Sequence, residues 1–275
     1  MLFFGDSLKI LVNGLCDSAG KTTTVRGLNS YFSDLGEVNL FKPFAANNYW
    51  FDHSIVSETL ENGEIYGDDT EKLIELTDGT PRVMNPIHRL WAPATICGRD
   101  DNIGNENESV LFDRVWNLDE GMVMLKNSNV DIPENLERLF SESDKNLEFS
   151  DVEELNEYME SIHLQAVENS WEELEECNIF ITESYSDVAM PIVADFDVVV
   201  TVEPGRAYIS DGERFTKAHK VVSERWNKYG HEISTGKVLD MLKPEEFGLE
   251  PFSSKEEAKD VYKPLFEGLR ENYDF

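Results

Sequence analysis

The residues best suited to chemistry lie near the start of the sequence, in the segment KILVNGLCDSAGKTTT at 9–24. The short apolar run at 10–12 predicts a buried parallel strand. The turn that follows it, and then Lys21 and Thr22, predict the start of a helix, whose free N–H groups and partial positive charge bind anions. The lysine can reach phosphate oxygens, and the Thr22 hydroxyl can ligate Mg²⁺. The pattern therefore predicts a site for the phosphates of a nucleotide.

The spacing of two glycines narrows the class of this site. Five residues separate Gly14 from the Gly20-Lys21 pair, whereas the common phosphate-binding loop has four. The longer form, G-x-x-x-x-x-G-K-[ST], resembles the loop of the dethiobiotin synthetase and cobyrinic acid amidotransferase group of P-loop proteins. The alternative is a chance Gly-Lys-Thr at a helix start, against which the preceding apolar strand argues. The nucleotide-binding residues that the resemblance implies are Gly14, Asp17, Ser18, Ala19, Gly20, Lys21, Thr22 and Thr23.

The resemblance extends to a lysine at the end of the second predicted strand. Lys42 precedes Pro43 in FKPF, and the family has a similar Lys-Pro pair whose lysine serves substrate and phosphate. With Lys21 and the loop carboxylate Asp17, Lys42 forms the catalytic set that the resemblance implies. An ordinary solvated lysine is the alternative for Lys42. Closure of the turn through nearby amides is the alternative for Asp17.

Three residues are candidates for holding Mg²⁺, which prefers oxygen ligands and keeps several waters. Thr22 is the first, and Glu183, which ends the apolar run NIFIT, resembles a magnesium-binding glutamate of the family. Asp69, in YGDDTEKL, resembles the family's magnesium-associated aspartate. The neighbouring Asp68 is placed equally well, and a helix N-cap is the alternative role for either aspartate.

The chain departs from the family directly after Glu183. The family has a Gly-Ala-Gly-Gly type turn that holds the acceptor substrate, whereas this chain has SYSD at 184–187. We therefore do not expect dethiobiotin synthesis itself. Tyr185 in this segment, and Arg206 after a later predicted strand, are candidates for contacts with an acceptor or with phosphate. An exposed surface arginine is the alternative for Arg206.

Two functions follow from these residues and from the resemblance. The first is a Mg-ATP-dependent ligase or synthetase that transfers the γ-phosphoryl group to a small carboxylate or carbamate acceptor, with catalysis by positioning and charge neutralisation. The second is a nucleotide-hydrolysing switch, an ATPase or GTPase that is regulated by a partner and has no small-molecule acceptor. The sequence has no clear Asn-Lys-x-Asp guanine signature, which favours ATP over GTP. The resemblance also implies a homodimer.

The charge balance excludes some partners. The chain has 55 Asp and Glu against 24 Lys and Arg, and its formal net charge is −31. Nucleic acids and anionic membranes repel such a chain, so we expect neither as a partner. With an apolar fraction of 40%, the acidity indicates a folded protein of a high-salt cytoplasm, where ions screen the repulsion. The sequence shows neither a long apolar span nor a signal-peptide pattern, and a cytoplasmic protein is expected.

The order of the apolar and periodic segments predicts an α/β fold, which the resemblance refines to a P-loop NTPase with a central, mainly parallel sheet flanked by helices. We expect one domain over 1–275, with insertions near 44–66 and 98–145 and a helical C-terminal tail. Loops are expected at 44–66 and 98–108. The predicted strands are 10–12, 38–41, 178–184 and 197–204. The predicted helices are 20–34, 69–76, 109–127, 133–141, 150–176 with Ser150 as N-cap, 209–229, and 253–270 with an interruption at Pro264.

Overall fold

The computed structural model describes residues 7–77, 79–96, 104–105, 108–226, 233–252 and 255–272. The strands, in chain order, are β1 (Leu8–Gly14), β2 (Val38–Phe41), β3 (Phe44–Asn48), β4 (Ile87–Pro93), β5 (Gly104–Asn105), β6 (Glu108–Asn117), β7 (Gly121–Asn127), β8 (Lys145–Phe149), β9 (Ile179–Glu183), β10 (Val198–Glu203), β11 (Arg206–Asp211) and β12 (Glu245–Gly248).

The helices, in chain order, are α1 (Lys21–Phe32), α2 (His53–Glu61), α3 (Asp68–Ile74), α4 (Pro81–Met84), α5 (Glu137–Glu142), α6 (Val152–Tyr158), α7 (Leu164–Leu174), α8 (Gly212–Trp226), α9 (Thr235–Leu239), α10 (Lys255–Val261) and α11 (Lys263–Asn272). A 3₁₀ turn at Glu134–Leu136 precedes α5, and a π-helical turn at Met159–His163 joins α6 to α7. Within the described parts of the chain, no helix is both long enough and apolar enough to cross a bilayer.

Where the sequence predicts one domain with two insertions, the chain forms two compact units. The first unit comprises Met1–Lys42 and Leu174–Phe275, and the second comprises Pro43–Glu173. Both of the insertions expected near 44–66 and 98–145 fall within the second unit. Each unit has its own six-stranded sheet.

The sheet of the first unit has the strand order β12-β11-β10-β1-β9-β2. The four strands from β10 to β2 run parallel, and β11 and β12 extend the sheet antiparallel at one edge. The three inner parallel strands are apolar runs with little or no exposure, as parallel strands covered by helices on both faces require. An α/β architecture is therefore confirmed, and its first sheet is mixed.

Helix α1 follows β1 and packs against the C-terminal helices. Gly27 of α1 faces this contact, since a Cβ there would lie 3.4 Å from the Tyr262 ring and 3.5 Å from the Phe266 ring, in ordinary van der Waals contact. The Tyr31 ring stacks on Phe266 with 4.7 Å between ring centroids. The predicted helix 20–34 is thus confirmed, as is the helical tail over the described residues 255–270, which breaks at Tyr262, just before Pro264.

The sheet of the second unit has the order β3-β4-β6-β7-β8, with β5 paired to β6. Strands β3 and β4 are parallel, β4, β6 and β7 are antiparallel, and β7 and β8 are parallel. A core of buried apolar side chains covers this sheet, including Val56, Leu90, Leu111 and Met124.

The helix predicted over 109–127 is wrong, because this segment is the hairpin of β6 and β7. Its run SVLFDRVW is rich in β-branched and aromatic residues and is buried on both faces, so it lacks the alternation that marks a half-buried strand. The turn is fixed by Asn117, whose Oδ1 accepts the amides of Asp119 and Glu120. Gly121 follows with a φ of 76°, which favours glycine.

Other boundaries differ from the prediction for identifiable reasons. The expected loop 44–66 contains β3 and α2, and most of the expected loop 98–108 lies outside the described residues. The helix predicted over 209–229 begins only at Gly212, because residues 209–211 belong to β11 and pair with β10, and its last predicted residues, 227–229, lie outside the described part of the chain. Helix α6 is capped by Asp151, not by Ser150: Asp151 accepts the Glu154 amide, while the Ser150 amide donates to the Glu154 carboxylate.

Candidate functional site

The loop between β1 and α1 has the backbone that its two glycines allow. A Cβ on Gly14 would lie 2.9 Å from the Ala19 Cβ, so any larger residue would clash there. Gly20 precedes the first residue of α1 with a φ of 96°, a left-handed conformation that strains other residues. Between them the loop is exposed from Cys16 to Ser18, so Asp17 faces solvent.

Two side chains at the start of α1 reach the segment that follows β9. The Lys21 ammonium donates to the carbonyl oxygen of Ser186 at 2.7 Å, and Lys21 is 8% exposed. The Thr22 hydroxyl donates to Oε1 of Glu183 at 2.9 Å. The loop and the end of β9 are therefore in direct contact.

Lys42 and Glu183 form a buried ion pair. Phe41 of β2 pairs in parallel with Thr182 of β9, so the residues that follow them in each strand lie side by side. The Lys42 ammonium donates to Glu183 Oε1, the same oxygen that accepts the Thr22 hydroxyl. Lys42 is 3% exposed and Glu183 is fully buried. The solvated lysine considered as an alternative is therefore wrong.

Thr22, Lys42 and Glu183 together form what we call the Glu183 cluster, which lies beyond the carboxyl ends of the parallel strands. The chain places β9 and β2 on one side of β1 and β10 on the other, so the strand order reverses at β1. In open α/β sheets the crevice at such a reversal is where ligands bind. The cluster thus lies where the topology favours a ligand site.

The chemistry of the Glu183 cluster fits a hard divalent cation beside an anion. A hydroxyl and a carboxylate 2.9 Å apart offer oxygen atoms of the kind that Mg²⁺ binds, and two ammonium groups, Lys21 and Lys42, lie nearby. Among the residues that the structure describes, no group of three or more His, Cys, Asp or Glu side chains is placed to hold a metal. A cation at this cluster would need further oxygen atoms from phosphate and water.

Asn13 is a residue at this site that the sequence did not single out. It is fully buried at the end of β1, where its Nδ2 donates to the Ala189 carbonyl at 2.8 Å. Its Oδ1 accepts the Thr201 hydroxyl at 2.6 Å. Asn13 thus joins β1 to β10 and to the segment after β9. A polar side chain just after the apolar run, and just before Gly14, was the available signal.

Tyr185 and Arg206 have different surroundings. Tyr185 is half-buried and directly follows Glu183 and the fully buried Ser184. Arg206 is exposed at the start of β11 and pairs with Glu246 at 3.4 Å. A hydrogen bond with Tyr208, and then the charge of Glu246, raise the pKa of Arg206 above its ordinary value. Arg206 lies opposite Glu203 in the hairpin of β10 and β11.

Asp69 belongs to the second unit and is an exposed residue in the first turn of α3. The N-cap of that helix is Gly67, so the capping role considered for Asp68 and Asp69 is wrong. Asp68 instead forms an ion pair with Lys72, one turn along the same helix. The first unit by itself therefore brings together Thr22 and Glu183 of the three predicted metal ligands.

The second unit contains a buried ionic cluster that the sequence did not indicate. Arg89 donates two hydrogen bonds of 2.7 Å to the fully buried Asp113, and the ring of His163 lies 2.9 Å from the same carboxylate. Burial would raise the pKa of Asp113, but the charge and hydrogen bonds of Arg89 and the contact with His163 outweigh it and hold that pKa below its ordinary value. The cluster fixes the π-helical turn that ends at His163.

The opposite face of the same strands buries His88 and Arg114. Arg114 donates to the carbonyl oxygens of Asn85, Pro86 and Ile65. His88 is fully buried, and its two ring nitrogens have no hydrogen-bond partner within the described chain. Burial and the nearby Arg114 charge lower the pKa of His88 to about 3. This imidazole is therefore neutral in the folded protein across the neutral pH range.

No family model matches this chain, and neither a curated protein nor a solved structure matches it. The likeness to the dethiobiotin synthetase group therefore depends on the motif residues alone.

Proposed function

We propose that the first unit is a P-loop NTPase domain that binds ATP with Mg²⁺ in the loop between β1 and α1. The observation that carries this proposal is the Glu183 cluster, in which two residues from separate parts of the sequence both contact Glu183. Thr22 and Lys42 are 161 and 141 residues from Glu183 in the chain, yet both donate to the same carboxylate oxygen. If the Gly-Lys-Thr were a chance occurrence at a helix start, its threonine would not be expected to share a carboxylate oxygen with Lys42.

The residues of the site have distinct roles in this proposal. Mg²⁺, when bound with ATP, supplies divalent charge that offsets the negative charge of the phosphates. Thr22 and Glu183, both in the first unit, would hold the cation. The loop amides and Lys21 bind the β- and γ-phosphates, and Lys42 neutralises charge that develops on the transferred group. Asp17 acts near the metal or the acceptor.

The activity that we propose is that of a ligase or synthetase, in which the γ-phosphoryl group passes to a small carboxylate or carbamate. Tyr185 and Arg206 are the proposed contacts for the acceptor or for phosphate. ATP is preferred over GTP in this proposal, and nucleic acids and membranes are excluded as partners by the net charge of −31. A cytoplasmic homodimer remains part of the proposal.

A nucleotide switch is the second candidate, and one contact favours it. The Lys21 ammonium is bonded to the carbonyl of Ser186, which lies in the segment that replaces the acceptor-binding turn of the similar family. Because Lys21 contacts this segment, a change in the nucleotide bound at Lys21 can change the conformation of the segment. The two candidates differ in what stimulates turnover.

Phosphate release from ATP tests the proposal and separates the candidates. A ligase should release phosphate at a negligible rate until a carboxylate or carbamate acceptor is added. A switch should hydrolyse ATP slowly without a metabolite and faster with a protein partner. Glu183→Gln should retain nucleotide but lose Mg²⁺-dependent turnover, whereas Glu213→Gln, an exposed glutamate on α8, should behave as the parent does. Turnover that is measurable in the parent and equal in all three proteins would overturn the proposed site.

A further inference from the structure

The lysine that we assign to the triphosphate is held by the protein's own backbone. Lys21 Nζ donates to the Ser186 carbonyl at 2.7 Å, and the side chain of Lys21 is almost completely buried. A carbonyl oxygen carries partial negative charge and directs it at the ammonium. The contact takes up one of the N–H donors of the ammonium, and the carbonyl oxygen would repel an anion placed beside it.

The segment that carries Ser186 is fixed from several directions. The Ser184 hydroxyl donates to the Val188 carbonyl at 2.6 Å, and Asn13 donates to the Ala189 carbonyl. The Asp187 carbonyl accepts both the amide of Thr235, at 2.7 Å, and its hydroxyl, at 2.8 Å. We refer to residues 184–189 as the Ser186 segment.

Ser186 itself has a left-handed backbone, with a φ of 45°. A residue other than glycine adopts this conformation at a cost of about 1 kcal/mol or more, and it persists only where the surroundings enforce it. The hydrogen bonds of Ser184, Asp187 and Ala189 hold Ser186 in this conformation. The direction of the Ser186 carbonyl toward Lys21 is thus a consequence of the anchored segment.

We propose that the Lys21–Ser186 contact is a latch that, when closed, holds the Lys21 ammonium at the Ser186 carbonyl, and that it opens when a nucleoside triphosphate binds. The inference rests on the proposed nucleotide function and adds its regulation. Triphosphate and the closed latch compete for Lys21, so each disfavours the other by the same free energy. Binding therefore loosens the Ser186 segment, and the change reaches α9 through the bonds between Asp187 and Thr235.

The competition between triphosphate and the closed latch predicts how weaker anchors of the Ser186 segment change the affinity for nucleotide. If the Ser186 segment built the nucleotide site, weakening its anchors would lower affinity. If it holds the latch closed, weakening its anchors raises affinity, because less free energy is needed to release Lys21. Loss of one hydrogen bond should lower the Kd for MgATP about 2- to 10-fold.

The test compares Ser184→Ala and Thr235→Val with the parent protein by titration with MgATP. Each substitution removes one hydroxyl that donates to the backbone of the Ser186 segment. Ser33→Ala is the matched control, because it removes a hydroxyl that donates to the Asn29 carbonyl at the far end of α1. The latch predicts a lower Kd in the first two variants and an unchanged Kd in the control. A Kd equal to or higher than that of the parent, in variants whose melting shows them to be folded, overturns it.

Hydrogen exchange separates failure of the latch from failure of the proposed function. With MgATP present, the amides of the loop at 14–23 should exchange more slowly, and those of Val188, Ala189 and Thr235 should exchange faster. A protected loop with slower or unchanged exchange in the Ser186 segment overturns the latch alone. An unprotected loop, with no binding by the parent protein, overturns both the latch and nucleotide binding.

Discussion

The Thr22 hydroxyl lies 2.9 Å from the Glu183 carboxylate, although 161 residues separate them in the chain. Strands β1 and β9 are parallel neighbours, and Thr22 is the second residue of the helix that follows β1. A hydroxyl at a helix start and a carboxylate at a neighbouring strand end are brought together by this one pairing. The contact gives the loop an acidic partner, which a phosphate loop needs if it is to hold a cation.

The ion pair between Lys42 and Glu183 should dominate the stability of the site. Lys42→Met leaves the buried Glu183 carboxylate without its cation, and such losses cost about 3–5 kcal/mol in unfolding free energy. Urea unfolding measures this cost. The double variant Lys42→Met with Glu183→Leu should regain part of the loss, because it removes the uncompensated charge. Losses that simply add in the double variant would show that the two residues are not coupled.

His88 should make the second unit sensitive to mild acid. Its pKa is about 3 in the folded protein and about 6.5 in an unfolded chain. Between these values the unfolded chain binds more protons, so the stabilisation is complete above pH 6.5 and is lost as the pH falls toward 3. At pH 5 the loss relative to neutral pH should be about 2 kcal/mol.

Two variants separate the contribution of His88 to the pH dependence of stability from the contributions of the other titrating groups. His88→Leu should remove it and flatten the dependence of unfolding free energy on pH. His53→Leu, at an exposed position, should keep the parent's dependence. Parallel pH profiles for the parent and His88→Leu would rule out the assigned role.

Asp113 should be the residue of the second unit least tolerant of neutralisation. Asp113→Asn leaves Arg89 without its carboxylate and weakens the contact with His163, and we expect a loss of about 3–5 kcal/mol. Asp131→Asn, at an exposed position, should change the unfolding free energy by less than about 0.5 kcal/mol. Equal effects of the two substitutions in urea unfolding would contradict the structural importance of this cluster.

Salt should stabilise the protein strongly. A formal net charge of −31 destabilises a compact chain through self-repulsion, and at 1 M salt the screening length falls to about 3 Å. Melting curves should therefore shift to higher temperature between low and molar KCl. An uncharged osmolyte at equal osmolality should have a smaller effect. Equal melting temperatures at both salt concentrations would remove the hypothesis of a high-salt setting.

The sequence predicts the first sheet well, because its inner strands are continuous apolar runs. The segments 10–12, 38–41, 178–184 and 197–204 all form parallel strands of that sheet. It also places Lys42 and Glu183 at strand ends, since each follows such a run directly. Their pairing depends on which strands become neighbours, and this is set by contacts far apart in the chain.

The sequence predicts the helices at 69–76, 133–141 and 150–176, but it predicts the sheet of the second unit poorly for a physical reason. Strand β6 carries Asp113 and Arg114 in succession, and both are buried because each face of the sheet is covered. Each charge is matched by groups from other elements, including Arg89 for Asp113 and the Ile65 carbonyl for Arg114. A local pattern cannot show that such partners exist, so the segment was mistaken for a helix. The hydrogen-bond partners of Asn13 likewise lie far away in the chain, so a local pattern does not show them.

Calorimetry in molar KCl tests the central claim most directly. Titration with MgATP should give saturable heat with one site per chain and a Kd on the order of micromolar to millimolar. Lys21→Ala should abolish that heat while the protein remains folded, and Lys217→Ala, an exposed lysine of α8, should bind as the parent does. An absence of heat with the parent protein, or equal binding by Lys21→Ala, would contradict the assignment of the loop as a triphosphate site.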